Sequence, residues 1–196
     1  VALGDGRSFV FWGNGPVVQT ANGPVINPTG MKGRFVTSAG VPTGAEITVD
    51  TVTRMGVDID DVNAVALANG GFVIGWAEQW DPDNGTRPVG FNDTFRFQVF
   101  GASGGKIGGE FVVQTETSGV SNAFKLVELA NGGFAAYWQE RAPGGVMETH
   151  VRTFSTYGGE SGTETVLTSI ANNGTDGLDE IYHLALMADG KVMGFG

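Results

Sequence analysis

The stretch Leu67-Ala68-Asn69-Gly70-Gly71-Phe72-Val73-Ile74-Gly75-Trp76 sets an Asn-Gly turn between two apolar runs. Asn-Gly and Asp-Gly favour hairpin turns because Gly adopts positive φ freely and Asn or Asp tolerates it, so a type I′ turn is expected here. The same pattern recurs as Leu3-Gly4-Asp5-Gly6, Leu129-Ala130-Asn131-Gly132 and Met187-Ala188-Asp189-Gly190. The turn Asp or Asn falls at 5, 69, 131 and 189, at spacings of 64, 62 and 58 residues, and recurrence at such a period marks a repeat architecture.

Each turn leads into a strand-forming run: Ser8-Phe9-Val10-Phe11-Trp12, Phe72 to Trp76, and Phe134-Ala135-Ala136-Tyr137-Trp138. Val, Ile, Phe, Tyr and Trp favour strands. These runs are apolar at successive positions, as expected of strands covered on both faces. Ala64-Val65-Ala66-Leu67 and Lys125 to Leu129 supply the strand before the turn. A second half follows each hairpin. It reads Arg34-Phe35-Val36, Gln98-Val99-Phe100 or Arg152-Thr153-Phe154, then Gly-x-x-x-Gly-x-Glu ending at Glu46, Glu110 or Glu164, then a further apolar run. That pattern predicts two more strands joined by a Gly-rich turn.

One unit is therefore four strands in up-and-down order, and the fold class expected is all-β: a β-propeller-like array of four-stranded antiparallel blades, three units plus part of a fourth. The units run over 1–61, 62–122, 123–180 and 181–196 of a single repeat domain. Val1 and Gly196 both fall inside expected strands, so the chain reads as a fragment of a longer array. Three and a half units do not close a ring, so further units or another chain are expected to pack with it. The period exceeds the roughly 40–50 residues of common propeller repeats. The excess lies between strands two and three: Trp12 to Arg34 and Trp76 to Gln98 each span 22 positions, Trp138 to Arg152 only 14. Variable insertions at one place are where repeat proteins carry specificity.

Gly makes up 33 of 196 residues and collects at the turns, while 13 Phe and 4 Trp supply a core, which favours a turn-rich β protein over a disordered one. No apolar stretch has the length of a membrane span. The net charge of −10 argues against nucleic acid and anionic membrane surfaces, which select basic patches. The chain has no Cys, which removes disulfides, thiol catalysis and thiolate zinc sites.

The string from Leu67 to Trp76, with Gln98-Val99-Phe100 and Gly108-Gly109-Glu110-Phe111-Val112-Val113 after it, resembles a tandem repeat of large secreted bacterial surface proteins of the hemolysin type, exported by type I secretion. The resemblance implies export, a propeller-like scaffold and calcium as a candidate ligand; it implies no reaction. That family often carries the nonapeptide Gly-Gly-x-Gly-x-Asp-x-apolar-x. Only Gly174 to Tyr182 approaches it here, and one degenerate copy does not build a stacked calcium roll.

Asp81-Pro82-Asp83-Asn84-Gly85-Thr86 is the best candidate metal loop, with Asp81 and Asp83 as ligands, since Ca²⁺ takes about six to eight oxygens. The same residues also read as an ordinary polar turn. Trp80, in the connector next to Asp81 and upstream of Arg87, is a candidate platform for a glycan or protein ligand, with Arg87 as its polar partner; it reads equally as a cap on the sheet. The acids Asp58, Asp60 and Asp61, and Asp176, Asp179 and Glu180, fall at links between units and read as solvated links or cation ligands. Glu46, Glu110 and Glu164 recur in every unit, as do Arg34 and Arg152 in two, which points to structural pairing rather than catalysis. His150 and His183 sit in no metal or triad spacing and read as strand or surface residues.

The function expected is a non-enzymatic repeat scaffold or binding module of a secreted or cell-surface bacterial protein, adhesin-like. The alternatives are a propeller-based glycan-active enzyme, for which Asp81, Asp83, Asp93 and Glu148 are the loop acids available, and a structural subunit of a larger extracellular assembly.

Overall fold

A computed structural model describes residues 1–20, 23–26, 30–51, 57–80, 94–115, 121–142, 146–171, 183–186 and 192–195. The chain is all-β, with no helix among the described residues. Sheet 1 holds β1 (Ser8–Asn14), β4 (Gly30–Val36) and β5 (Pro42–Asp50). Between β1 and β4 a separate hairpin pairs β2 (Val17–Thr20) with β3 (Gly23–Ile26). Sheet 2 is β6 (Val57–Ala66), β7 (Phe72–Trp80), β8 (Thr94–Phe100) and β9 (Lys106–Thr115), in that order. Sheet 3 repeats it with β10 (Ser121–Glu128), β11 (Phe134–Arg141), β12 (Val146–Phe154) and β13 (Thr165–Ala171). A last hairpin joins β14 (His183–Leu186) to β15 (Val192–Phe195).

Every pairing is antiparallel between consecutive strands of a unit, as the up-and-down reading requires. In sheet 1 the place of β6 is taken by Val1–Leu3, where Ala2 bridges Ser8. The Trp positions are equivalent in register: Trp12 lies opposite Lys32, Trp76 opposite Arg96 and Trp138 opposite His150.

The turns correct one expectation. The amide of Gly70 donates to Leu67 O at 2.9 Å, and that of Leu67 to Gly71 O at 2.9 Å. Ala68 and Asn69 are thus the turn's centre, and Gly70 (φ 82) follows it, so the loop has three residues with a bulge and not the two of a type I′ turn. The reason is visible in Asn69. Its side-chain Oδ1 accepts the Gly71 amide at 2.9 Å, so Asn caps the turn while Gly alone takes positive φ. Asn131 repeats the bond to Gly133 at 3.0 Å.

The two faces of sheet 2 bury different partners. Phe9, Met31, Phe35 and Val49 of sheet 1 pack with Phe72, Ile74, Trp76 and Phe100 of sheet 2. Val73, Phe95, Phe97, Val99 and Val113 of sheet 2 pack with Phe134, Ala136, Trp138 and Phe154 of sheet 3. We call the Trp-bearing side of each sheet its leading face and the other its trailing face. Trailing on leading is the rule at both interfaces, and alternate side chains of one strand serve two clusters. Ring contacts carry much of each: Phe9 meets Phe72 at 4.7 Å between centroids, and Phe97 meets Phe134 at 4.9 Å and Phe154 at 4.7 Å.

The Gly-rich turns interlock the sheets. A Cβ on Gly104, in the β8–β9 turn of sheet 2, would run into Ile47 and Phe35 of sheet 1. One on Gly158, in sheet 3, would meet Val99 of sheet 2 at 3.1 Å. Gly40, the same position in sheet 1, has nothing within 4 Å. All three have positive φ, between 77° and 84°. Gly40→Ala is therefore expected to lose about 1 kcal/mol from backbone strain alone, and Gly104→Ala about 2–4 kcal/mol, because a clash with sheet 1 is added. Urea unfolding measures both, and equal losses would contradict the interlocking.

Candidate functional site

The connectors between second and third strands were the sequence-derived site. Trp80 is not in that connector: it is the last residue of β7, with its backbone opposite Val57 of β6. Pairing with β6 carries β7 past Trp76 through Ala77, Glu78 and Gln79, beyond where local preference stops. Arg87, Asp81 and Asp83 lie outside the described residues, as do Asp93, Asp176, Asp179 and Glu180. Asp58, Asp60 and Asp61 are not a link between units; their backbone belongs to β6, where the register shifts between Asp60 and Asn63. The Asn63 side chain exploits that bulge. It donates to Phe124 O at 3.0 Å and accepts the Leu126 amide at 2.7 Å, tying the first strands of sheets 2 and 3 together.

The described polar chemistry sits on the leading faces of the sheets. In sheet 2, Arg96 and Glu78 form an ion pair at 2.9 Å beside buried Trp76, whose indole N–H reaches Glu78 at 3.5 Å. In sheet 1, Lys32 and Glu46 are 3.4 Å apart. In sheet 3 the equivalent of Lys32 and Arg96 is His150. It is a strand residue, as expected, but it is buried, with 5% of its surface exposed. Its ring stacks on Trp138 at 5.5 Å, with 16° between the planes.

Three glutamates converge on that imidazole. Nδ1 is 2.8 Å from Glu164 Oε1. Nε2 is 3.5 Å from both Glu140 Oε1 and Glu148 Oε2, without hydrogen-bonding geometry to either. Glu140 also accepts from Trp138 Nε1 at 3.4 Å and from Gln114 Nε2 of sheet 2 at 3.2 Å. Arg152 pairs with Glu164 at 2.7 Å and Glu160 at 3.2 Å and donates to Val113 O of sheet 2 at 3.0 Å. The recurrent Glu46, Glu110 and Glu164 thus lie within ion-pair distance of Lys32, Lys106 and Arg152, while Arg34 donates to Gly44 O of its own turn at 2.9 Å. Sequence reading missed this cluster. Its signal was the basic residue at 32, 96 and 150, two positions before Arg34, Gln98 and Arg152.

Between sheets 1 and 2, Asp50 of β5 also faces a second carboxyl, that of Glu110 of β9, which lies 3.8 Å from Lys106. Asp50 is buried and its Oδ2 has no hydrogen-bond partner. Burial, followed by the charge of Glu110, raises its pKa from 3.8 to about 6. Among the described residues, no three His, Asp or Glu side chains are placed to hold a metal ion, and no helix is long and apolar enough to cross a membrane. No known protein family, curated protein or solved structure matches the chain.

A raised carboxyl pKa means that the folded state holds the proton more tightly than the unfolded chain. The Asp50 contribution is therefore fully present below pH 3.8 and is lost as pH rises through about 6. Asp50→Asn is expected to remove that decline and to be more stable than the parent at pH 7.5, by about 1–3 kcal/mol. Denaturant midpoints from pH 4 to 8 test this, and a variant less stable at pH 7.5 would contradict it.

Proposed function

We propose that this chain is a non-enzymatic repeat scaffold, a binding module of a secreted or cell-surface bacterial protein, whose sheets are the blades of a propeller-like array. The observation that carries the reading is where the charged side chains sit. Lys32, Arg96, His150 and their glutamates occupy equivalent positions on the three sheets and pair with one another, Arg96 and His150 beside the buried Trp of a sheet interface. A catalytic centre needs a constellation that differs from its copies, whereas repeated ion pairs hold sheets in register. Export and the propeller arrangement rest on the resemblance of the Leu67–Trp76 string and on the tandem sheets.

Ligand contact belongs to the connectors, which differ between units while the sheets repeat. Trp80 at the head of one connector and Arg87 within it are the proposed contacts for a glycan or protein, and Asp81 and Asp83 the proposed Ca²⁺ ligands. A second reading, a structural subunit of a larger extracellular assembly, draws on the exposed apolar side chains of Val10 and Trp12 in sheet 1.

Glycan-array binding measured with and without Ca²⁺ tests the proposal. The expected result is binding that Trp80→Ala and Arg87→Ala abolish at unchanged melting temperature, together with a Ca²⁺-induced rise in melting temperature that Asp81→Asn removes. No binding in either condition, with the melting temperature unmoved by Ca²⁺, would overturn both the sugar and the metal roles.

A further inference from the structure

We propose that Asn69 is a site of spontaneous modification, deamidation by its own turn, and that Asn131, in the same hexapeptide one unit later, is held back from it by Thr156. The inference is independent of the binding function proposed above.

The two positions share their chemistry. Leu67-Ala68-Asn69-Gly70-Gly71-Phe72 and Leu129-Ala130-Asn131-Gly132-Gly133-Phe134 are identical in sequence. Other Asn-Gly pairs occur, Asn14-Gly15 among them, but only these two share a hexapeptide. Glycine after asparagine favours attack on the side-chain amide, because no Cβ shields the next backbone nitrogen and glycine turns freely. Gly70 N loses its proton to hydroxide and bonds to Asn69 Cγ. The bond from Cγ to the side-chain nitrogen breaks, and ammonia leaves. Water then opens the five-membered imide at either carbonyl. One opening gives aspartate, the other isoaspartate, with the chain rerouted through the side chain. No oxidant, reductant or cofactor takes part.

The fold sets how often this happens. Both asparagines are exposed to water. In each turn two hydrogen bonds oppose ring closure. The attacking nitrogen is engaged, Gly70 with Leu67 O and Gly132 with Leu129 O, each at 2.9 Å. The side chain is engaged too, since Asn69 Oδ1 accepts the Gly71 amide at 2.9 Å and Asn131 Oδ1 the Gly133 amide at 3.0 Å. Attack requires the turn to open, so its rate follows the population of the locally open state. A third bond separates the two sites. Thr156 Oγ1, in the β12–β13 turn, donates to Gly132 O at 2.9 Å. Its counterpart in the β8–β9 turn is Ala102, since both turns close by the same two backbone bonds, and Ala102 has no hydroxyl to offer Gly70. Arg7 reaches that turn at 2.7 Å, but bonds the carbonyl of Ala102 itself. The net worth of one hydrogen bond shifts an opening equilibrium by about 2–10-fold.

The chain itself shows what an aspartate at this position requires. Asp5 and Asp189 hold it in units 1 and 4, and each is followed two residues later by a cation, Arg7 or Lys191. Arg7 pairs with Asp5 at 2.7 Å. Where the turn residue is Asn, the residue two later is Gly71 or Gly133. Neither glycine has room for a basic side chain: a Cβ on Gly71 would run into Phe100 O, and one on Gly133 into Phe154 O. Deamidation of Asn69 therefore adds a negative charge without the partner that the Asp turns carry.

Incubation of the full chain at mildly alkaline pH, followed by digestion and mass spectrometry of the two peptides, tests this. In concentrated urea the identical hexapeptides should convert at equal rates. In the folded chain both should be slower, with Asn69 converting about 2–10-fold faster than Asn131. Thr156→Val, which keeps the branched shape and removes the hydroxyl, should raise the Asn131 rate to that of Asn69. Circular dichroism checks that the variant folds. If it does not, the comparison within the unmodified chain still decides, because identical hexapeptides leave only the fold to separate them. Equal rates in the folded chain, or faster conversion of Asn131, would overturn the proposal. So would a difference that survives Thr156→Val, or folded rates no slower than those in urea.

Discussion

Strands that are apolar on both faces need cover on both faces, and among the described residues a neighbouring sheet supplies it. Phe9 and Phe35 from one side, and Phe72 and Phe100 from the other, fill the first interface. Phe97 from one side, and Phe134 and Phe154 from the other, fill the second. Burial of an aromatic side chain is worth about 1.5–3 kcal/mol, and edge-on or offset ring pairs add about 0.5–1.5 kcal/mol. No single sheet retains that contribution on its own. The unit of folding is therefore the pair of sheets, and the repeat is a consequence of the need to cover each new face.

Around each aromatic layer lies a polar border that varies while its role is kept. The basic position is Lys32, Arg96 or His150, and the residue two after the Trp is Asn14, Glu78 or Glu140. Where the partner is well exposed, as with Glu46, a flexible Lys serves. Where Trp and carboxylates enclose the position, a flat imidazole stacks on the indole and gathers three glutamates. Asp50 and Glu110 are the exception. Two carboxyls meet there at a buried edge, so the first interface loses stability as pH rises through about 6.

Much of this was legible in the residues because it is periodic. The hairpins, the four-strand order and the equivalence of Trp12, Trp76 and Trp138 all follow from spacing. Turn type did not: Asn69 bonding its own loop competes with the type I′ geometry, and that bond shows only in three dimensions. The strand ends were misplaced at Trp80 and at Asp58–Asp61, because pairing to a neighbour extends a strand past the point where local preference stops. The burial of His150 was not legible because burial of a polar residue depends on the facing sheet, which lies far off in sequence. The exposure of Trp12 beside its buried counterparts is likewise a property of stacking. The connector residues Arg87, Asp81 and Asp83 fall outside the repeat, so periodicity gives them no spatial partner.

The central claim is that the sheets stabilise one another face to face. Phe9 and Phe72 stand on opposite sides of the first interface with ring centroids 4.7 Å apart. A double-mutant cycle on Phe9→Leu and Phe72→Leu, read by urea unfolding, measures that contact most directly. A coupling of about 0.5–1.5 kcal/mol is predicted for rings that meet across the interface. Strictly additive losses would mean that the two sheets do not pack on each other in this way, and would contradict the account.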